Sequence, residues 1–412
     1  MAFPPAFLDE IRARVPLAAV VGRRVKLARK GREHSGLCPF HNEKTPSFTV
    51  NEDKGFFHCF GCGAHGDVIG FAMRIDHLSF PEAVERLAAE AGMEVPAPTP
   101  GEREKAKRAV SLLDAVEAAC SFYEKELRAA SGRKGLDYLR GRGLDDTAMA
   151  RFRLGWAPDS RDALKRALAA AGIPQALAVE AGLLIAPEGG GEPYDRFRGR
   201  VIFPIADRRG RIIAFGGRTL GDGQPKYLNS PDTPLFHKGE TLYGLSLARE
   251  AAASAGTLIV AEGYMDVIAL ARAGFANSVA PLGTALTEGQ IALLWRITPE
   301  PIVCLDGDAA GRRAALRAAE RALPLLKPGL SLRFAHLPPP EDPDSLIASR
   351  GREAMAAVLE GARPLSVLLW EAALASHPAD TPERRALLEH DLLAQAETIG
   401  DAVVFVGIAY VG

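Results

Sequence analysis

Residues 302–308 read Ile302-Val303-Cys304-Leu305-Asp306-Gly307-Asp308. Four apolar residues run straight into two carboxylates flanking a glycine. An uninterrupted apolar run is the mark of a parallel strand covered on both faces. Acids at its carboxyl end lie where open α/β sheets bind their ligands. The same arrangement occurs upstream, where Leu258-Ile259-Val260-Ala261 leads into Glu262-Gly263-Tyr264-Met265-Asp266. A third acidic pair, Asp342 and Asp344, follows a run near 331–336. Strands are expected near 257–261, 275–280, 301–305 and 331–336, with helices near 264–273, 287–297 and 309–326. This βαβαβαβ series predicts a mainly parallel sheet covered by helices. Taken singly, Asp306, Asp308 or Asp344 would serve as a helix cap. Three acidic clusters at successive strand ends repel one another unless a divalent cation lies among them. The expectation is therefore a Mg²⁺ or Mn²⁺ site for phosphate chemistry, with Glu262, Asp266, Asp306, Asp308, Asp342 and Asp344 as its acids.

A second constellation lies near the N-terminus. Cys38-Pro-Phe-His41 and Cys59-Phe-Gly-Cys62 form a CxxH…CxxC set. Two-residue spacers bring both donors of each pair to one ion, and four such ligands suit a closed, tetrahedral, structural zinc. Ser47–Val50 and Gly55–His58 alternate like hairpin strands between the pairs, which predicts a zinc ribbon. His34, His58 and His65 are nearby competitors for ligation. Phe48, Phe56, Phe57 and Phe60 are interleaved with this set, close to the basic run from Arg23 to Arg32. Most of these rings are expected in the ribbon's core rather than on bases.

Between the two constellations the chain turns basic. Residues 195–250 hold ten Lys/Arg against six Asp/Glu, although the net charge of the whole chain is only −1. Arg196, Arg198 and Arg200 are two apart, so on an extended strand they would share one face. Residues 200–206 and 211–215 alternate around Asp207-Arg-Arg-Gly210, a predicted hairpin. Arg218, Lys226, Tyr227, Asn229 and Lys238 add cations, an aromatic and an amide donor. Such groups suit a phosphodiester backbone and exposed bases.

The five cysteines form no secreted disulfide framework, and the N-terminus lacks a signal-peptide pattern. No apolar stretch is long enough for a membrane span. A cytoplasmic location is expected. Val95–Gly101 reads as a linker, followed by helix from Glu102 to about Ala130.

These runs resemble, in order, the bacterial replicative DNA primases. CPFHNEKTPSF…HCFGCGAHGD is similar to the primase zinc-binding domain. RVIFPI…GRIIAFGGR…PKYLNSPDTPLFHKGETLYGL resembles the basic half of the polymerase domain, and EGYMD, DGDAAGRRAA and EDPDSLI its toprim half. The resemblance covers roughly residues 5–395. It implies a multidomain α/β architecture: a zinc-ribbon domain at 1–95, a linker at 96–110, a mixed α+β basic subdomain at 111–250, a toprim subdomain at 251–345 and a partial helical part at 346–400. The implied activity is copying single-stranded DNA into short RNA primers from NTPs. Glu262, Asp306 and Asp308 would hold the catalytic metals, with Asp266, Asp342 and Asp344 completing the site. Arg142, Arg196, Arg198, Arg218, Lys226, Tyr227 and Asn229 match positions lining the template and nucleotide groove, and Lys238 one near the incoming NTP. A monomer associated with the replisome and nucleoid is expected.

The segment 401–412 resembles nothing in the family. It reads as a buried strand or, preferably, as a disrupted end. Family members continue into a helical domain that recruits the replicative helicase, so helicase docking is not expected of this chain. The rival readings are a truncated, non-catalytic single-stranded-DNA-binding fragment and another toprim protein, such as a topoisomerase or nuclease.

Overall fold

The computed structural model describes residues 3–405 except His77, Ser79, 97–99, Asp222, Thr284 and 378–379. The chain divides into two compact units, Met1–Ala106 and Lys107–Gly412.

In the first unit, an antiparallel sheet follows chain order: Ala28–Lys30, Glu33–Gly36, Phe48–Asn51, Phe56–Cys59 and His65–Gly66. Helices Pro5–Arg14, Leu17–Gly22, Val68–Ile75 and Phe80–Glu90 accompany it. A unit this small gains most of its core from aromatics. Phe48 and Phe57 are fully buried with ring centroids 5.3 Å apart, and Phe71 meets Phe57 edge-on at 5.5 Å. Phe56 and Phe60 instead face solvent. Asp67 caps the helix at Val68 by accepting the Gly70 amide at 2.8 Å.

The second unit joins two larger sheets, beside a two-stranded pair, Leu184–Ile185 with Tyr194–Asp195. One is antiparallel, in the order Tyr227–Asn229, Ile212–Thr219, Arg200–Ala206, Gly155–Ala157. The predicted hairpin is its centre, and the turn closes with the Asp207 amide donating to Arg211 O at 2.9 Å. The other sheet runs Ser278–Val279, Ile259–Val260, Ile302–Leu305, Arg333–His336, Arg363–Pro364. Its first four strands are parallel and the last is antiparallel. Helices Tyr264–Arg272, Glu288–Trp295 and Ala309–Ala322 lie where the apolar periodicity predicts.

A continuous apolar core joins the two halves, from Phe203 and Ile205 through Tyr264 to Ile302 and Leu346. Phe203 stacks on Tyr264 with centroids 4.9 Å apart. Gly216 makes that approach feasible, since a Cβ there would lie 2.3 Å from the Tyr264 hydroxyl.

Three expectations need correction or refinement. The helix expected from Glu102 begins at Pro100 and ends at Arg128, so residues 100–110, assigned to the linker, are helical; 97–99 lie outside the described residues. The boundary at 345 falls within the helix Pro343–Glu360, and Arg363–Pro364 adds a fifth strand beyond it. Ala402–Phe405 is helical rather than a strand; the remainder of that segment lies outside the described residues. Among the described residues no helix is long and apolar enough to cross a membrane.

Candidate active site and metal centre

The parallel sheet brings its acids to one edge because each follows a strand's carboxyl end. Asp308 caps the helix Ala309–Ala322, accepting the Gly311 amide at 2.7 Å. Asp342 caps the helix Pro343–Glu360, accepting the Ser345 amide at 2.6 Å. Asp266 reaches back to the Gly263 amide at 2.9 Å. Of the three acids expected to cap, Asp308 does so; Asp342 caps in place of Asp344, and Asp306 caps no helix among the described residues. The two caps fix the Asp308 and Asp342 carboxylates in place. Gly307 is needed for close approach, because a Cβ there would lie 2.7 Å from Leu337 O and 2.9 Å from Pro338 O.

Electrostatics tie the acids into one cluster. Burial, then Glu262, Asp342 and Asp308, push Asp306 up to about 7. Partial desolvation, then Asp308 and Asp342, raise Glu262 against the pull of the Asp306 amide and Arg317. Burial, with Asp306 and Asp342, holds Asp266 well above the usual carboxylate range. Asp306 Oδ1 is shielded from solvent and has no hydrogen-bond partner among the described residues. Crowded hard oxygen donors with an orphaned carboxylate oxygen fit a divalent cation. Asp344 differs: it is buried and bonded to the Arg142 guanidinium.

The basic residues fall into separate groups. Arg218 lies over the rings of Tyr138 and Tyr227, at 4.9 and 5.3 Å from their centroids, and donates to the Tyr227 hydroxyl at 2.6 Å. Lys226 beside it is exposed. Arg196 donates to Asn229 O at 2.9 Å. Asn229 in turn donates to Leu282 O at 3.1 Å. Asn229 and Lys238 converge on Gly283, whose Cβ would lie 3.3 Å from Asn229 Nδ2 and 3.7 Å from Lys238 Nζ. Arg198 is exposed and lies over the Tyr194 ring at 5.3 Å. The expectation that Arg196, Arg198 and Arg200 share one face fails. Gly199 has φ +59, so 196–199 are not strand, and Arg200 turns inward to donate to Gly217 O and Pro225 O at 3.1 and 3.0 Å.

In the other unit, ligand atoms of Cys38, His41, Cys59 and Cys62 lie within 4.8 Å of one another. Cys38 Sγ is 3.8 Å from Cys62 Sγ, and Cys59 Sγ is 3.7 Å from His41 Nδ1. Burial pushes Cys38 up to about 12. Cys59 Sγ accepts the Cys62 amide at 3.5 Å. Three thiols and one imidazole nitrogen, each able to reach a common centre, fit zinc. His65 is exposed and its ring lies 2.8 Å from Gly63 O, and His34 and His58 stay outside the cluster. Sequence reasoning gave no part to Glu43, Tyr138 or Arg317. A glutamate two residues past a metal-ligating histidine was the available signal for the first.

Residues 3–103 match the CHC2 zinc finger, 122–249 the N-terminal domain of the DNA primase catalytic core, and 256–336 the Toprim domain. The crystal structure of the Aquifex aeolicus primase zinc-binding and RNA polymerase domains is 33% identical. It superposes with a TM-score of 0.63, over 99% of this chain and 95% of that one.

The chain belongs to the bacterial DNA primase family.

The DNA primase of Pseudomonas putida is 50% identical over 373 residues, 89% of this chain. The chain spans 56% of that relative's length. A DnaG primase catalytic domain bound to ssDNA is 41% identical with a TM-score of 0.67, covering 74% of this chain and 95% of that one. Within this family the Cys/His set is the zinc site, and the toprim region uses a divalent metal.

Proposed function

We propose that this chain is a DNA-dependent RNA polymerase that makes short RNA primers on single-stranded DNA for replication. The observation carrying the reading is the union, through one apolar core, of an acid cluster containing an orphaned Asp306 oxygen with a sheet bearing Arg218, Tyr227 and Asn229. The relative bound to ssDNA supports assigning the template to the basic half. Arg198, Arg218, Lys226 and Tyr227 would hold the template by charge and stacking. Asn229 and Lys238, meeting at Gly283, would orient the incoming NTP.

Glu262, Asp306 and Asp308 would hold Mg²⁺ or Mn²⁺, and Asp266 and Asp342 complete the negative field. When bound, the metal would lower the pKa of the attacking 3′-hydroxyl and stabilise the pyrophosphate leaving group. Asp306 would hold the metal in its ionised form, and the caps at Asp308 and Asp342 hold those carboxylates in place. Asp344 holds Arg142 beside the acids. The zinc-ribbon unit would help choose where synthesis starts. The protein would act as a monomer in the cytoplasm, at the nucleoid.

The test is incubation with single-stranded DNA, Mg²⁺ and labelled NTPs. Short RNA is expected. DNA binding without any RNA would leave a DNA-binding fragment as the better reading, and strand passage or cleavage would point to another toprim enzyme.

A further inference from the structure

The zinc site contains a fifth organised side chain. The Glu43 carboxylate is 9% exposed, and every polar contact it makes leads to the ligand set. Its Oε1 accepts the backbone amide of Cys38 at 2.7 Å and that of Ser47 at 3.1 Å. Its Oε2 lies 3.3 Å from His41 Nε2 and accepts the Ser47 hydroxyl. Ser47 Oγ is also 3.2 Å from Cys59 Sγ. One carboxylate thus reaches three of the four ligand residues: Cys38 through its own amide, His41 through the ring, and Cys59 through Ser47.

We infer that Glu43 is a positioning residue of the zinc site, which fixes His41 to ligate through Nδ1 while its Nε2–H donates to the carboxylate. Nδ1 is the nitrogen facing the thiols, at 3.7 Å from Cys59 Sγ, and Nε2 faces away from them. A carboxylate on the far nitrogen fixes the tautomer and ring plane and makes the ligating nitrogen more basic. Burying a carboxylate is costly unless its lone pairs are filled, and here four donors fill them. A solvated surface glutamate would need none of these partners. Gly61 completes the fit: a Cβ there would lie 2.7 Å from His41 Nε2 and 2.8 Å from Ser47 Oγ, so no side chain there can come between His41 and Ser47. The inference rests on the zinc site alone and stands whether or not the polymerase reading does.

The experiment uses the full chain and its Glu43→Gln and Glu43→Ala variants. Zinc affinity is measured by competition with a chromophoric chelator, and His41 is read by long-range ¹H–¹⁵N correlation of the zinc-loaded protein. Glu43→Ala should weaken zinc about 10–100-fold. Glu43→Gln, which still accepts the two amides, should fall between it and wild type. In wild type the spectrum should show metal on Nδ1 and a proton on Nε2, and the Nε2–H resonance should move upfield in Glu43→Gln. Should Glu43→Ala fail to fold, Glu43→Gln decides. Wild-type zinc affinity in Glu43→Gln together with an unmoved Nε2–H resonance, or ligation through Nε2 in the wild-type protein, would overturn the inference.

Discussion

The Tyr264 hydroxyl donates to Asn229 Oδ1 at 2.6 Å. Tyr264 begins the helix that follows Glu262, and Asn229 ends the strand that carries Tyr227. The bond therefore spans the two halves of the second unit, between the acid edge and the basic sheet. Tyr264→Phe keeps the stacking on Phe203 but deletes the donor. The loss of one buried bond should cost about 1 kcal/mol of stability. RNA synthesis should fall several-fold while affinity for single-stranded DNA stays near wild type. Denaturation, a synthesis assay and a DNA titration on the same variant check this; weakened DNA binding with undiminished turnover would contradict it.

Arg198 and Arg200 are two residues apart but have opposite fates. Arg200 is buried and donates to backbone carbonyls of the sheet and its edge loop. Arg200→Ala should destabilise the protein by about 2–3 kcal/mol, seen as a lower denaturation midpoint. Arg198→Ala should leave stability within about 0.5 kcal/mol. It should instead flatten the salt dependence of DNA binding by about 0.7 in log–log slope, the loss of one phosphate contact on a single strand. The reverse pattern would mean that Arg200 is the groove residue.

Asp306 would make the proposed metal site pH-dependent. Its folded-state pKa of about 7 is above the ~3.9 of an unfolded aspartate. The fold therefore favours the protonated form. Its contribution to the stability of the metal-free protein is fully present below about pH 4 and is lost as pH rises through 7. Glu262 and Asp266 shift in the same direction. A divalent cation binds the ionised form, so it opposes that loss. The rise in Tm on adding Mg²⁺ should be larger at pH 8 than at pH 6, and an equal rise at both would place the ion elsewhere.

The parallel sheet was legible because its strands are buried on both faces, which leaves continuous apolar runs with acids at their ends. The clustering of Cys38, His41, Cys59 and Cys62 was legible from spacing alone. Arg200 was not, because alternation predicts a shared face only on a continuous strand, and the left-handed Gly199 interrupts it. The helix start at Pro100 was hidden in a proline-rich run, although proline is at home in a first helical turn. Glu43 looks like any polar loop residue until the fold wraps the Cys38–Ser47 loop around it. The bond between Tyr264 and Asn229 joins residues 35 apart in the chain, and no local pattern marks such a pair.

Asp308→Asn tests the central claim most directly. Asparagine is as good an N-cap as aspartate, so the helix Ala309–Ala322 should keep its start while the acid edge loses one carboxylate charge. Wild type and variant are compared for RNA synthesis on single-stranded DNA with Mg²⁺, and for DNA affinity in the same buffer. The account predicts at least a roughly 100-fold loss of synthesis, the scale of losing an electrostatic catalytic group, with DNA affinity unchanged. Synthesis at the wild-type rate would contradict the assignment of the acid edge as the catalytic centre.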